Sequence, residues 1–274
     1  MPGAPEIQAI EDVMAAADGL GLEVMLIGAG ARILLIDEPY GNSERQTHDR
    51  DFCVRVAGWG EYERLGQALL ASGRFTRTKV PHRFTHGAGT MVDLVPFGGI
   101  EDGQGRIRFE GSGKVMNLRG TREALAAAKL LEIGQVRVRV VSEAGLVLLK
   151  LFAWDDRREL KDLQDIAAVL DHYDRNAAAD DIFDRLAEEL ANDVITYDEA
   201  PACLLGLDLG LMAEPETRAE LAAVLEELLA PEETVLNRLI RHHGEDEDDV
   251  QQTKIVGRFR AMLYGLRKAE RPAA

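Results

Sequence analysis

Apolar residues recur at every second position in several short segments of the first half of the chain. The clearest is 135–141, where valines alternate with arginines. A period of two is typical of a β-strand with one buried face. Shorter apolar segments predict strands at 23–27 and from Asp49 onward, and a hairpin pair at 80–86 and 90–96.

Apolar stripes with the spacing of a helix lie between these strands. They predict helices at 5–20, 31–36 and 60–72. The glycine-rich stretch 98–113 predicts another short hairpin.

From Ser142 onward the apolar spacing becomes helical, and Ser142 is a candidate N-cap for a helix that ends near Asp155. Further helices are predicted at 160–173, 176–191, 214–230, 232–243 and 250–268. The acidic run 245–249 is predicted to be a solvated loop. The whole pattern predicts an α/β (α+β) domain with a small mixed sheet at 1–140, followed by a mostly helical domain at 141–274.

Charge divides unevenly between the two predicted domains. The chain has 274 residues and a net charge of −16, but residues 1–140 carry 17 Lys+Arg against 18 Asp+Glu. The remaining residues carry 15 against 30. The total charge argues against broad binding of duplex DNA, whereas the near-neutral first half leaves RNA or a nucleotide open as substrates. Two cysteines and the absence of a long apolar run fit a cytoplasmic protein with no membrane contact.

Three aspartates are the strongest candidates for chemistry. Asp49 and Asp51 are one residue apart at the start of a strand and therefore project from the same face. Asp93 lies within an otherwise apolar strand, where an acid is costly unless a cation satisfies it. Two-metal phosphate transfer requires such carboxylates around a pair of divalent ions about 4 Å apart. For Asp49 alone, an ordinary turn or strand-end cap would be the favoured explanation.

The glycine turn between the first strand and the following helix is a second candidate site. Gly28 and Gly30 resemble the opening of a dinucleotide fingerprint, but Ile33 replaces its third glycine. A turn whose backbone amides hold a triphosphate is one remaining interpretation. A plain strand-to-helix turn is the other.

Two cations on a later helix could bind phosphates. Lys150 and Arg157 are seven residues apart and share one helical face, above the small Ala153. The alternative is a surface salt bridge with Asp162 or Asp165.

A basic cluster precedes Asp93 in the sequence. It could guide an RNA acceptor or a triphosphate tail toward metals, or it could be the solvated face of a hairpin. Its members are Arg74, Arg77, Lys79, His82, Arg83 and His86.

Four ordered motifs resemble the DNA-polymerase-β-like nucleotidyltransferases, and among them the AbiEii-type toxins of bacterial toxin–antitoxin systems. The motifs are the glycine turn Gly28–Arg32, the R-x-T-x-D-x-D segment Arg45–Phe52, the lysine helix Lys150–Arg157 and the K-D-x-x-D segment Lys161–Asp165. The resemblance covers roughly residues 24–175. Many relatives have Gly-Ser or Gly-Gly at the turn, so the Gly-Ala of this chain lacks a hydroxyl that could contact phosphate.

The resemblance implies a magnesium-dependent enzyme, with two Mg²⁺ ions or Mn²⁺ in their place, that moves an NMP from an NTP to a hydroxyl acceptor. The acceptor would be RNA, most plausibly the 3′ end of tRNA, and an antitoxin encoded nearby would be the partner. Metal ligands would be Asp49, Asp51 and Asp93, and Lys150 and Asp162 would join them as catalytic residues. The expected nucleotide-binding residues are Gly28, Gly30, Arg32, Arg45, Thr47, Lys150 and Arg157.

Two alternatives to an RNA-directed enzyme stay open at this point. One is transfer to a small hydroxyl compound, as in the nucleotidylation of antibiotics. The other is a nucleotide-binding or protein-binding module without catalysis.

Overall fold

A computed structural model describes residues 3–39, 49–173, 179–230, 235–239 and 245–269. The chain divides into two compact units, Met1–Ser142 and Glu143–Ala274. The first contains a mixed sheet with helices and the second is helical, as the predicted fold class requires.

The first unit is built on a mixed β-sheet. Its strands β1 to β9 are Glu23–Ile27, Asp49–Val56, Phe75–Arg77, Arg83–His86, Met91–Gly98, Arg106–Arg108, Val115–Asn117, Lys129–Ile133 and Val136–Val140. Among the described residues, seven of them form one sheet in the order β3-β4-β5-β2-β1-β9-β8, and β6 pairs with β7 separately. Strand β2 is antiparallel to β1 and parallel to β5, so the central strands run in both directions.

Helices of the first unit are α1 (Ala4–Asp18), α2 (Gly28–Arg32), α3 (Trp59–Ala71) and α4 (Thr121–Ala126), with a π-helical turn at Ile33–Asp37. The apolar stripe of α1 is buried, as its spacing predicts. Alternate residues of β2 are buried as well, including Phe52, Val54 and Val56.

Several details of the first unit differ from the prediction: the helix expected at 31–36 begins at Gly28, and strand β3 was not predicted. The short hairpin pairs β6 with β7, and β7 begins after the glycine-rich stretch has ended at Gly113. Helix α4 and strand β8 were not predicted, because 121–133 shows no sustained period of either kind.

The second unit contains the helices α5 to α10. They are Glu143–Arg157, Leu160–Leu170, Ala179–Ala191, Ala200–Met212, Pro215–Leu228 and Glu245–Lys268. Of the predicted helix 232–243, only the 3₁₀ turn Leu236–Leu239 lies within the described residues as regular structure. The predicted loop at 245–249 is wrong, since these residues form the first turns of α10. Acidic side chains at a helix N-terminus interact favourably with the helix dipole, which explains why an acidic run can begin a helix.

Helices α8 and α10 pack against each other through glycines. A Cβ atom on Gly206 would overlap the carbonyl oxygen of Met262, and one on Gly265 would overlap that of Cys203. The two backbones therefore approach more closely than any larger residue would allow. None of the described helices is long and apolar enough to cross a membrane.

Candidate active site

The sheet brings the three predicted acids to one face. Asp51 on β2 is in register with Asp93 on the parallel strand β5 and with Ile27 on the antiparallel strand β1. Residues in register on neighbouring strands point to the same face, and Asp49 lies two positions before Asp51 on that face. The carboxylates of Asp49, Asp51 and Asp93 thus belong to one surface of the first unit.

The glycine turn lies directly against this surface. Gly28 has a φ of +67°, a conformation that favours glycine. A Cβ atom at Gly28 would overlap Oδ2 of Asp51. Glycine is therefore required both by the backbone conformation and by the close approach of the turn to the carboxylate. Gly30 follows in the same turn and is buried.

Arg83 forms a bidentate salt bridge with Asp93. Its Nε donates to Oδ1 at 2.6 Å, and its Nη2 donates to Oδ2 at 2.7 Å. The same Nη2 lies 4.0 Å from Oδ2 of Asp49. This pairing with Asp93 raises the pKa of Arg83 above its ordinary value. A protein cation therefore already lies beside two of the three predicted metal ligands.

A buried histidine and a lysine lie next to the Arg83–Asp93 salt bridge. His82 Nε2 lies 3.6 Å from Oδ2 of Asp93, and Lys114 Nζ lies 3.3 Å from the same nitrogen. Burial lowers the pKa of His82 below its ordinary value, which favours the neutral imidazole. Nothing in the sequence pattern pointed to Lys114.

The donor set suits magnesium. Carboxylate oxygens are the hard ligands that Mg²⁺ prefers, and an arginine on Asp93 shows that the surface accommodates positive charge. Within the described ranges, no three His, Cys, Asp or Glu side chains converge closely enough to hold an ion as they stand. Arg83 takes both oxygens of Asp93, so an ion bound by that carboxylate would have to displace it.

The other predicted nucleotide contacts of the first unit differ in their placement. Arg32 is buried, and its Nη2 lies 2.7 Å from Oδ2 of Asp37. Arg45 and Thr47 lie outside the described residues. Arg50, which sequence reasoning did not single out, is buried within β2, and burial lowers its pKa.

The basic cluster does not act as a single surface. Arg74 and His86 both contact the carboxylate of Asp12. Arg77 lies over the ring of Phe84, 5.4 Å from its centroid. Arg83 and its neighbour His82 are thus the members of the cluster placed beside Asp93, and β4 pairs Arg83 directly with it.

In the second unit, Lys150 and Arg157 converge on buried aspartates. Lys150 Nζ lies 2.6 Å from Asp165 Oδ2 and 3.3 Å from Asp162 Oδ1. Arg157 Nε donates to Asp162 Oδ2 at 2.7 Å, and this bond raises the pKa of Arg157. The side chain of Asp162 is fully buried. The salt bridges expected with Asp162 and Asp165 are therefore present, with both acids buried and Arg157 41% exposed, while a role in nucleotide binding stays a prediction.

Three solved structures are similar to parts of the chain. Two are of the antibiotic-resistance factor ANT(2″)-Ia, one in solution and one in complex with adenylyl-2″-tobramycin. They are 16% and 15% identical, cover 60% of this chain each, and are themselves covered to 81% and 86%. The third is an antigenic nucleotidyltransferase-like protein from Paracoccidioides brasiliensis, 20% identical, with 61% of this chain and 76% of that one covered. The TM-score is 0.39 in each case. No curated protein sequence matches the chain.

A family model described as the nucleotidyl transferase AbiEii toxin of a type IV toxin–antitoxin system matches residues 39–268. This match includes the three acids and both helices of the Lys150 network. Because it spans most of the chain, the protein belongs to the AbiEii nucleotidyltransferase toxins of type IV toxin–antitoxin systems.

Proposed function

We propose that this nucleotidyltransferase uses magnesium to move an NMP from an NTP to a hydroxyl of RNA, with the 3′ end of tRNA as acceptor, and thereby inhibits growth. One observation carries the proposal: Asp51 lies in register with Asp93, with the backbone of Gly28 pressed against its carboxylate. The carboxylate that would bind metal and the backbone at the start of α2 are thus adjacent, an arrangement that suits a metal-bound triphosphate.

Asp49, Asp51 and Asp93 are the residues that would hold two Mg²⁺ ions, with Mn²⁺ as a substitute. When bound, the ions would activate the acceptor hydroxyl and stabilise the charge on the leaving pyrophosphate. The carboxylates themselves keep the ions on one face of the sheet, because their strands fix the spacing of their Cα atoms.

The remaining predicted residues would position the nucleotide. Gly28 and Gly30 would place backbone amides near phosphate oxygens. A contact of Lys150 and Arg157 with the triphosphate, beyond their salt bridges with Asp165 and Asp162, rests on the family resemblance. Asp162 would orient Lys150, which it contacts at 3.3 Å. The contacts expected of Arg32, Arg45 and Thr47 with the nucleotide rest on the family resemblance.

Transfer of label tests the proposal. The protein would be incubated with Mg²⁺, total RNA and each of the four NTPs labelled on the α-phosphate. We expect label in tRNA that depends on both Mg²⁺ and Asp51, and that requires an intact 3′ end on the tRNA. Label that reaches no acceptor with any of the NTPs would refute the proposal.

A small cationic compound is a second candidate acceptor, favoured by the charge of the second half of the chain. Residues 141–274 carry 30 acidic against 15 basic side chains, which would attract a polyamine-like hydroxyl compound more readily than RNA. Adding an aminoglycoside in the same labelling assay separates the two candidates. Label on the aminoglycoside in place of tRNA would support the small acceptor.

A further inference from the structure

We propose that Arg83 is an internal counter-ion of the acidic surface, which holds Asp93 until a divalent ion displaces it and then contacts the triphosphate. This inference rests on the proposed function, since it concerns the same carboxylates. It assigns to Arg83 a direct part in metal entry and nucleotide binding.

The first argument is geometric. Arg83 is opposite Asp93 in the β4–β5 register, and its fork takes both carboxylate oxygens, at 2.6 and 2.7 Å. It also approaches Asp49 to 4.0 Å. A guanidinium in this position partly neutralises the acids in the absence of metal, and it competes with an ion for the lone pairs of Asp93.

The second argument concerns which partner can move. Asp93 is 8% exposed, with Val92 and Leu94 fully buried on either side of it. The side chain of Arg83 is 32% exposed and long enough to swing into solvent. Arg83 is therefore the partner that can move, and an ion that replaces it must compensate for two charge-assisted hydrogen bonds.

The third argument is the balance of charge. Divalent ions on the three aspartates would repel Arg83, and a triphosphate beside them would offer new acceptor oxygens. The planar guanidinium fork matches phosphate as well as it matches carboxylate. Arg83 thus has a partner both before and after metal and nucleotide arrive.

The test measures metal binding without nucleotide. Mn²⁺ binding to the full chain would be followed by electron paramagnetic resonance for the wild type, Arg83→Gln and Arg83→Lys. Arg64→Gln is the matched control, because it removes the same charge from an exposed position on α3. We expect the Kd for Mn²⁺ to fall about tenfold in Arg83→Gln, since the competitor is gone. Arg83→Lys keeps the charge but not the fork, so its Kd falls less, and Arg64→Gln matches the wild type.

A second measurement uses inorganic tripolyphosphate with saturating Mg²⁺, which makes the result independent of the base. The effect on affinity is opposite to that on Mn²⁺ binding: Arg83→Gln binds tripolyphosphate about tenfold more weakly than the wild type, and Arg83→Lys recovers part of the lost affinity. Circular dichroism melting establishes that each variant is folded. If Arg83→Gln is not folded, Arg83→Lys is compared with the wild type in its place.

The outcomes separate this inference from the proposed function. If the wild type and Arg83→Gln bind Mn²⁺ equally, Arg83 does not compete with metal, and the inference is overturned while the metal-dependent function stands. If no variant binds Mn²⁺, the metal-dependent function and the inference fall together. Binding by Arg83→Gln but not by the wild type would support the inference most directly.

Discussion

Two aspartates in this protein are each held by the fork of one arginine, and the two units use that pairing differently. In the sheet unit, Arg83 holds Asp93 beside Asp49, whose side chain is 46% exposed. In the helical unit, Arg157 holds Asp162, which is fully buried and also contacts Lys150. The first pairing lies beside an exposed carboxylate, whereas the second lies beside a second cation, Lys150, whose side chain is 14% exposed; Arg157 itself is 41% exposed.

The difference teaches how burial changes the consequence of the same chemical pair. A partly exposed pair contributes little to stability and can exchange its partner for a metal or a phosphate. A carboxylate with no exposed surface that holds a largely buried lysine is costly to remove, because the lysine left behind has lost its hydration. We therefore expect the acids of the sheet unit to matter mainly for activity, and Asp162 to matter for folding in addition to any role in the reaction.

The largest effect is expected from Asp51→Asn. The proposed function assigns a metal-binding oxygen to Asp51, so its loss should reduce label transfer about 1000-fold, with little change in the free energy of unfolding. Initial rates of transfer at saturating NTP and urea unfolding measure the two quantities. Glu63→Gln, which removes an acid from the exposed face of α3, is the control and should leave both unchanged. Equal rates for Asp51→Asn and the wild type would remove the contrast between the units.

Asp162→Asn should mainly affect stability. We expect the free energy of unfolding of the helical unit to fall by about 2 kcal/mol, because the largely buried Lys150 loses one of its two anionic partners. Arg157 adds little to this loss, since its side chain is 41% exposed. The matching change in the other unit, Asp93→Asn, should cost about 1 kcal/mol at most, since Arg83 is one-third exposed.

The two tryptophans allow each unit to be followed separately. Trp59 lies on α3 and Trp154 lies on α5, so a Trp59→Phe background reports the helical unit and a Trp154→Phe background reports the sheet unit. Urea unfolding by fluorescence in these backgrounds measures both losses. A larger loss for Asp93→Asn than for Asp162→Asn would contradict the comparison.

Gly206→Ala tests the packing of the helical unit independently of charge. The added methyl group would meet the carbonyl oxygen of Met262, and we expect a loss of about 2 kcal/mol from forced separation of α8 and α10. Gly60→Ala is the matched control, because no atom lies within 4 Å of its added Cβ and alanine favours the helix. A loss as small as that of the control would show that the two helices can separate freely.

The smallest difference between the units is expected for the two cysteines, whose thiols should be equally protected from alkylation. Burial raises the pKa of the Cys203 thiol to about 12 and raises that of Cys53 as well. Both thiols stay protonated at pH 8, so iodoacetamide should modify neither in the folded protein and both in urea. Mass spectrometry counts the modified sites. Modification of one cysteine without urea would identify the unit that opens more readily.

Local patterning predicted much of the fold. Strands such as 135–141 and the start of β2 could be found because alternating residues point to opposite faces, and this alternation is visible among neighbouring residues of the sequence. Helix α8 was missed because it is apolar on nearly every side, so no periodic stripe marks it. The helix at 245–249 was missed because acidity alone does not separate a loop from a helix N-terminus.

The candidate site was predictable only in part. Asp49, Asp51 and Asp93 could be found from their positions in strands, and the sheet then places them on one face. The pairing of Arg83 with Asp93 depends on the register of a hairpin whose turn spans several residues, and several registers fit the same composition. Arg83 therefore looked like any other member of a basic cluster until the strands were aligned.

The neighbouring positions of Arg50 and Asp51 also protect the protein against misfolding. Arg50 points to the buried side of β2, and Asp51 points to the acidic surface beside Gly28. A slip of one residue would exchange the two faces. It would move the carboxylate of Asp51 into the interior and the guanidinium of Arg50 against Gly28. Both changes would destabilise the wrong register. The strand that supplies Asp49 and Asp51 thus also helps to specify its own register in the sheet.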